Sequence, residues 1–229
     1  LDQYARIYGE APKLLAADIE SRFRYNQDFK SVYSMVPSVM ALLLIFIPSI
    51  LTAVSIVREK ELGSITNLYV TPVSKLEFLM GKQLPYVIIG YVNFILMTLM
   101  AVIVFWVPIK GSLPTLALGA FLYILATTSF GLLFSTFTRT QIAAIAGTAI
   151  GSIVPAVQFS GLMQPVSTLE GFGALIGKVY PTAHFLTISV GTFTKGLDFS
   201  DLTVSFLALT PAAPILIALS VFLLKKQEA

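Results

Sequence analysis

The 229-residue chain has no cysteine, which excludes disulfides, thiolate nucleophiles and thiolate metal sites. Charge is scarce too. Asp, Glu, Lys and Arg together make up 12 % of residues against 56 % apolar ones, and the mean hydropathy is +0.84. That balance lies far outside the soluble norm and indicates an integral membrane protein. A net charge of +3 is too small and too dispersed to suggest direct nucleic-acid binding. Acidic residues are absent from the interior of every long apolar run, so proton or sodium coupling through intramembrane carboxylates is not expected. No Walker A sequence occurs: Gly81-Lys82 lacks the upstream glycine and the following Ser or Thr, so the chain itself does not hold ATP in a P-loop. Gly171, Gly173 and Gly177 have the wrong spacing for a dinucleotide fingerprint and read as a helix entry. The single histidine, His184, and Ser160 are the one pair that suggests a serine hydrolase. An intramembrane serine protease of the Gly-x-Ser kind would want glycine at position 158, which holds Gln158. Ser160-Gly161 therefore reads as a helix end and His184 as a hydrogen-bonded interfacial histidine.

What is present is a series of five apolar runs, each near the ~20 residues that cross a hydrocarbon core of ~30 Å. They are Val36–Val57, Leu84–Val107, Pro114–Phe134, Ile142–Leu162 and Leu202–Leu224. The reading is an all-α membrane protein with a transmembrane domain over 34–229, preceded by a polar piece over 1–33. Pro48, Pro155, Pro211 and Pro214 fall within or beside these runs and mark kinks or breaks. In the polar piece Ile19, Ser21, Phe23 and Tyr25 alternate like a strand. A lone strand has no sheet to join, and the chain opens at Leu1 without a signal peptide. Both features suggest the last portion of a longer polypeptide.

Arg58, Lys60, Lys75, Lys82, Arg139, Lys225 and Lys226 collect on one side of a five-span topology, against Lys110, Lys178 and Lys195 on the other. The first side is expected to be cytoplasmic. It carries the one well-charged, patterned loop, Arg58 to Lys82. There Leu62, Ile65, Leu68 and Tyr69 recur at helical spacing, with Glu59, Lys60 and Glu61 around the other sides. Pro72 ends that helix, and Ser74 is placed to cap a second one through Leu76, Phe78, Leu79 and Met80. A short amphipathic helix between two spans cannot bury its apolar face in its own loop, so it needs a partner protein or the lipid surface. Ala143, Gly147 and Gly151 form a small-residue stripe for helix packing, within this chain or against a second copy. Of the uncharged polar residues in the spans, Asn93, Thr127, Thr128 and Gln158 are candidates for a translocation path. Leu169–Val179 and His184–Val190 are apolar but too short to cross and read as interfacial or re-entrant helices on the outer face.

The run Arg58-Glu59-Lys60-Glu61, followed by Gly63-Ser64, Leu68, Pro72, Glu77 and Lys82, resembles the first cytoplasmic loop of type-2 ATP-binding-cassette permeases. The likeness extends to Phe23-Arg24-Tyr25-Asn26, to Ser160-Gly161 with Pro165, and to Tyr180-Pro181-Thr182-Ala183-His184-Phe185. The branch it is most similar to has a large extracytoplasmic domain. The resemblance implies that the five spans are helices two to six of a six-helix permease and that residues 1–33 end the outer domain. It implies a coupling helix in the 58–82 loop, with Leu62, Ile65, Leu68 and Tyr69 docking on a fused or separate nucleotide-binding domain and Glu59 and Glu61 pairing with its basic residues. ATP and Mg would be bound by that partner, no cofactor being expected in this chain. The further partners implied are a second permease copy and a periplasmic adaptor or the ribosome, and the implied location is the bacterial inner membrane. The implied function is ATP-driven efflux. The alternative is a membrane anchor for a fused, ribosome-associated ATPase that moves no substrate.

Overall fold

The computed structural model describes residues 31–63, 73–163 and 166–224, which form helices and their connections with no strand among them. The strand-like segment 19–25 and residues 64–72, with Ile65, Leu68 and Tyr69, lie outside the described residues. The helices are α1 (Ser31–Glu61), α2 (Lys75–Ile103), α3 (Leu113–Phe137), α4 (Gln141–Phe159), α5 (Gly171–Val179), α6 (Pro181–Val190), α7 (Thr203–Leu209) and α8 (Ala212–Leu223). The first four, together with the pair α7 and α8 spanning Thr203–Leu223, are long and apolar enough to cross a membrane. The expected interruption in the last span falls at Thr210 and Pro211, where proline supplies no N–H to continue the ladder. Two boundaries differ from the expectation. Helix α1 begins at Ser31, inside the segment assigned to the polar piece, and the helix capped by Ser74 does not stop within the loop but runs unbroken to Ile103.

The start of α2 follows from local chemistry. The Ser74 hydroxyl accepts from Glu77 N (3.3 Å) while Ser74 N donates to the Glu77 carboxylate (2.8 Å), a reciprocal capping box. Beyond Lys82 no charge interrupts α2. At its far end the chain leaves the helix through Trp106, the one described non-glycine residue with positive φ (54°), and its ring is 80 % exposed.

Helix α3 is the axis of the bundle. It packs on α1, α8, α2 and α6, and buried residues lie on every side of it, including Leu116, Tyr123, Thr128 and Leu132. Glycine sets the closest approach: a Cβ on Gly131 would lie 2.2 Å from the Ser49 carbonyl oxygen of α1. In α1 Pro48 leaves a backbone acceptor without its helical donor, and nearby Thr52 donates to the Pro48 carbonyl at 2.7 Å. Ser49 and Thr52 are fully buried.

Helix α6 corresponds to the second of the short apolar segments read as interfacial or re-entrant. Ten residues at ~1.5 Å each cover only about half of a bilayer core, yet Thr182, Phe185, Leu186, Ile188 and Ser189 are buried. Phe185 stacks on Tyr123, and Ser189 donates to the Pro37 carbonyl at 3.2 Å. Helix α5 stays at the surface with Phe172, Leu175 and Val179 exposed, an arrangement suited to the lipid interface.

Candidate functional site: the base of the 62–74 loop

Five helix ends meet where the loop begins. Helix α1 closes with Leu62 N donating to the Arg58 carbonyl (3.0 Å) and Gly63 N to the Lys60 carbonyl (3.2 Å). Gly63 adopts φ 71°, a left-handed helix stop that glycine takes without strain. Leu62, the first of the predicted apolar knobs, is 69 % exposed.

The three residues before it turn back onto the protein. Glu59 pairs with Lys82 of α2. Lys60, whose ammonium is part-buried, donates to the Ser135 carbonyl and, at 3.5 Å, to the Thr138 carbonyl at the end of α3. Glu61 accepts from the backbone N–H of Gln141 (2.7 Å) and from its side-chain amide, at the start of α4. Helix termini leave carbonyls unpaired at the C-terminal end and N–H groups unpaired at the N-terminal end. A cation at the first and an anion at the second also complement the helix dipoles. Lys75 completes the ring by donating to the Leu224 carbonyl beyond α8 at 2.7 Å. Beneath it Ile56, Leu79, Leu132 and Leu224 form a small apolar cluster.

Glu59 and Glu61, expected to face a partner, are thus engaged within this chain. The sequence reading missed Lys82, Gln141 and Lys75 as their counterparts or neighbours in this ring. One signal was available: in a five-span topology the end of α1 and the start of α4 share a side, and a helix N-terminus attracts a carboxylate.

The four path candidates are not brought together. Asn93 is half-buried and lines an apolar cleft of about 280 Å³ between α1 and α2, with Ile47, Pro48 and Leu96. Thr127 and Thr128 are buried in α3, each donating to the Ile124 carbonyl (3.1 and 2.8 Å). Gln158 is exposed on α4. A polar residue not singled out beforehand is better engaged: Gln83, 2 % exposed, donates through Nε2 to the hydroxyls of Thr128 and Ser129, both at 2.9 Å.

The small-residue stripe is displaced by one position. Ala144, Thr148, Ser152 and Ala156 form the buried face of α4, whereas Ala143 is exposed and Gly147 and Gly151 are half-buried. Gly151 faces a side chain, since a Cβ there would meet the Phe134 ring at 2.2 Å. Ser160 ends α4 and Gly161 follows with φ 94°. Ser160 Oγ is buried without a hydrogen-bond partner among the described residues, and His184 Nε2 lies 2.8 Å from the Lys178 carbonyl, so these two side chains do not pair. Burial pushes the Tyr180 phenol upward, with the Thr182 hydroxyl opposing this in part. It stays a neutral donor to the Ser152 carbonyl at 2.9 Å.

Five candidate spans whose charges, among the described residues, lie within two turns of a helix end define a multi-pass membrane domain. A family model described as ABC-2 family transporter protein matches residues 7–222, and the chain belongs to that family, the type-2 ABC permeases. It is 28 % identical over 203 residues to the probable multidrug ABC transporter permease YbhS of Escherichia coli (strain K12), covering 89 % of this chain and 54 % of that protein. It is 27 % identical to the inner membrane transport permease YhhJ of the same organism, covering 90 % and 54 %. To the ABC transporter G family member 20 of Dictyostelium discoideum it is 24 % identical, covering 89 % and 28 %. The chain spans about half the length of the bacterial relatives it matches. No solved structure matches it significantly.

Proposed function

We propose that this chain is the membrane-spanning part of an ATP-driven exporter of apolar or amphipathic compounds, working with a second permease copy and two nucleotide-binding domains in a bacterial inner membrane. One observation carries the reading: among the described residues no carboxylate lies in the interior of a span and the deepest cation is Lys82, in the second turn of α2, while the charged residues that flank the 62–74 loop sit on a ring of helix ends. A membrane carrier without intramembrane carboxylates needs its energy from outside the bilayer, and that loop is the natural point of entry. The names of YbhS and YbhR, each a probable multidrug ABC transporter permease, support an efflux role.

In this reading the 62–74 loop faces the cytoplasm, and Leu62, Ile65, Leu68 and Tyr69 insert into the ATPase partner. ATP and Mg bind on that partner, and residues 1–33 end an extracytoplasmic domain. Because Glu59 and Glu61 are engaged inside the chain, affinity rests on the apolar residues. Exposed ion pairs add less than ~1 kcal/mol in any case. The test uses the full-length permease and its ATPase in inside-out vesicles with a lipophilic dye. ATP-dependent dye accumulation, lost in Leu68→Asp while ATP hydrolysis continues, is the expected result. Hydrolysis with no accumulation in the wild type identifies a membrane anchor instead.

A further inference from the structure

We propose that Lys60 and Glu61 form a clasp that binds the root of the 62–74 loop to both sides of the turn between α3 and α4, so that a push on the loop is delivered to these two spans. The proposal rests on reading that loop as the docking segment for the ATPase.

Successive residues on a helix point ~100° apart, so three in a row face three directions. Here each direction meets a different helix: Glu59 meets α2 through Lys82, Lys60 meets the end of α3, and Glu61 meets the start of α4. Lys60 and Glu61 are the informative pair. They straddle the connection from Thr138 to Thr140, one holding the last carbonyls of the incoming helix and the other the first N–H of the outgoing helix. Both grips reach backbone atoms, which cannot swing aside as the ends of long side chains do. A surface ion pair that only added stability would need neither this placement nor two opposite charges on adjacent residues.

There is also no slack between the clasp and the loop. Glu61 is the last residue of α1 and Leu62 is already exposed. Below the clasp, α1 touches α3 so closely that Gly131 has no room for a Cβ against Ser49. The end of α1, the turn and the neighbouring halves of α3 and α4 therefore move as one body. Helix α2 is tied to the same end by Lys82 and to α8 by Lys75.

These 229 residues hold no cysteine, so a pair introduced here can be tested in the full-length permease, with any cysteine elsewhere replaced, reconstituted with its ATPase in proteoliposomes. A disulfide between Glu61→Cys and Gln141→Cys locks the clasp, and dye transported per ATP hydrolysed is expected to stay near the wild-type value. Lys60→Met combined with Glu61→Ala opens it, and the same ratio should fall ~10-fold or more, within the range of ordinary coupling free energies, while hydrolysis persists. Lys60→Arg with Glu61 intact keeps charge and donors and should leave the ratio near the wild-type value. If the paired substitution fails to insert, Glu61→Ala alone, at an exposed side chain, makes the same test. Loss of transport on locking, or an unchanged ratio on opening, overturns the clasp. Failure of the underlying exporter reading looks different, because the wild type itself then hydrolyses ATP without moving dye.

Discussion

The rings of Tyr123 in α3 and Phe185 in α6 stack with centroids 4.4 Å apart and 9° between their planes. The Tyr123 hydroxyl donates to the Ala41 carbonyl of α1 at 2.9 Å and shares a 2.9 Å hydrogen bond with Thr182. One fully buried side chain therefore joins three helices, and its two functions separate by mutation. Tyr123→Phe keeps the stack and removes the hydroxyl, and is expected to lower stability by about 0.5–1.5 kcal/mol. Phe185→Ala empties the site against Tyr123 and is expected to lower it by about 3–5 kcal/mol. Unfolding of the purified protein in mixed micelles measures both, and equal losses would contradict the assignment of the larger share to ring packing.

Two glycines make opposite predictions about helix contact. At Gly131 a Cβ would sit 2.2 Å from a backbone oxygen of α1, whereas at Gly147 the nearest atoms are side-chain carbons of Phe134 and Thr138 at 3.9 Å. Gly131→Ala forces α1 and α3 apart and should cost at least ~2 kcal/mol, at the upper end of overpacking effects. Gly147→Ala meets ordinary van der Waals space. Since alanine is the better helix former by ~1 kcal/mol, it should leave stability unchanged or raise it. The same unfolding assay ranks the pair, and a reversed order would mean that α1 and α3 do not touch where the structure brings them together.

Those glycines also show how far the sequence could be read. Five spans, the break near Pro211, the cap at Ser74 and the short helices after α4 were legible because length, proline position and capping are properties of a single segment. Which faces meet was not legible. Helix α3 is buried all round, so its apolar residues give no direction to its orientation. On α4 the 143/147/151 stripe and the observed 144/148/152/156 face are both small and four residues apart. Spacing alone does not choose between them; the Phe134 ring and the neighbouring helices do. The loop root illustrates the same point in charge. Glu59 and Glu61 look free in the sequence because their partners lie 23 and 80 residues away.

Sidedness is directly measurable, since a chain without cysteine carries single probes cleanly. Leu62 and Trp106 lie at opposite ends of the bundle and are 69 % and 80 % exposed. An impermeant maleimide applied to intact cells should modify Trp106→Cys and leave Leu62→Cys unreacted until the membrane is opened. The reverse pattern would place the 62–74 loop outside and remove any route to a cytoplasmic ATPase.

Gln83 offers a counter-intuitive prediction. It is buried between α2 and α3, and its Nε2 serves the Thr128 and Ser129 hydroxyls, while Oε1 has no hydrogen-bond partner among the described residues. Those hydroxyls already donate to carbonyls of their own helix, Thr128 to Ile124 at 2.8 Å and Ser129 to Leu125 at 2.6 Å. Nε2 also donates to the Leu125 carbonyl at 3.2 Å, which Ser129 already serves, so Gln83→Leu removes three donated contacts but also a buried unpaired oxygen. Intramembrane hydrogen bonds average well under ~1 kcal/mol, and an unsatisfied buried group costs ~1–3 kcal/mol. The substitution should leave stability within about 1 kcal/mol of wild type, or raise it. Gln83→Ala leaves a cavity between the two helices and should lower stability by ~2 kcal/mol or more. If leucine proves as damaging as alanine, the amide is contributing through a partner of Oε1, and a polar group must reach that atom in the assembled protein.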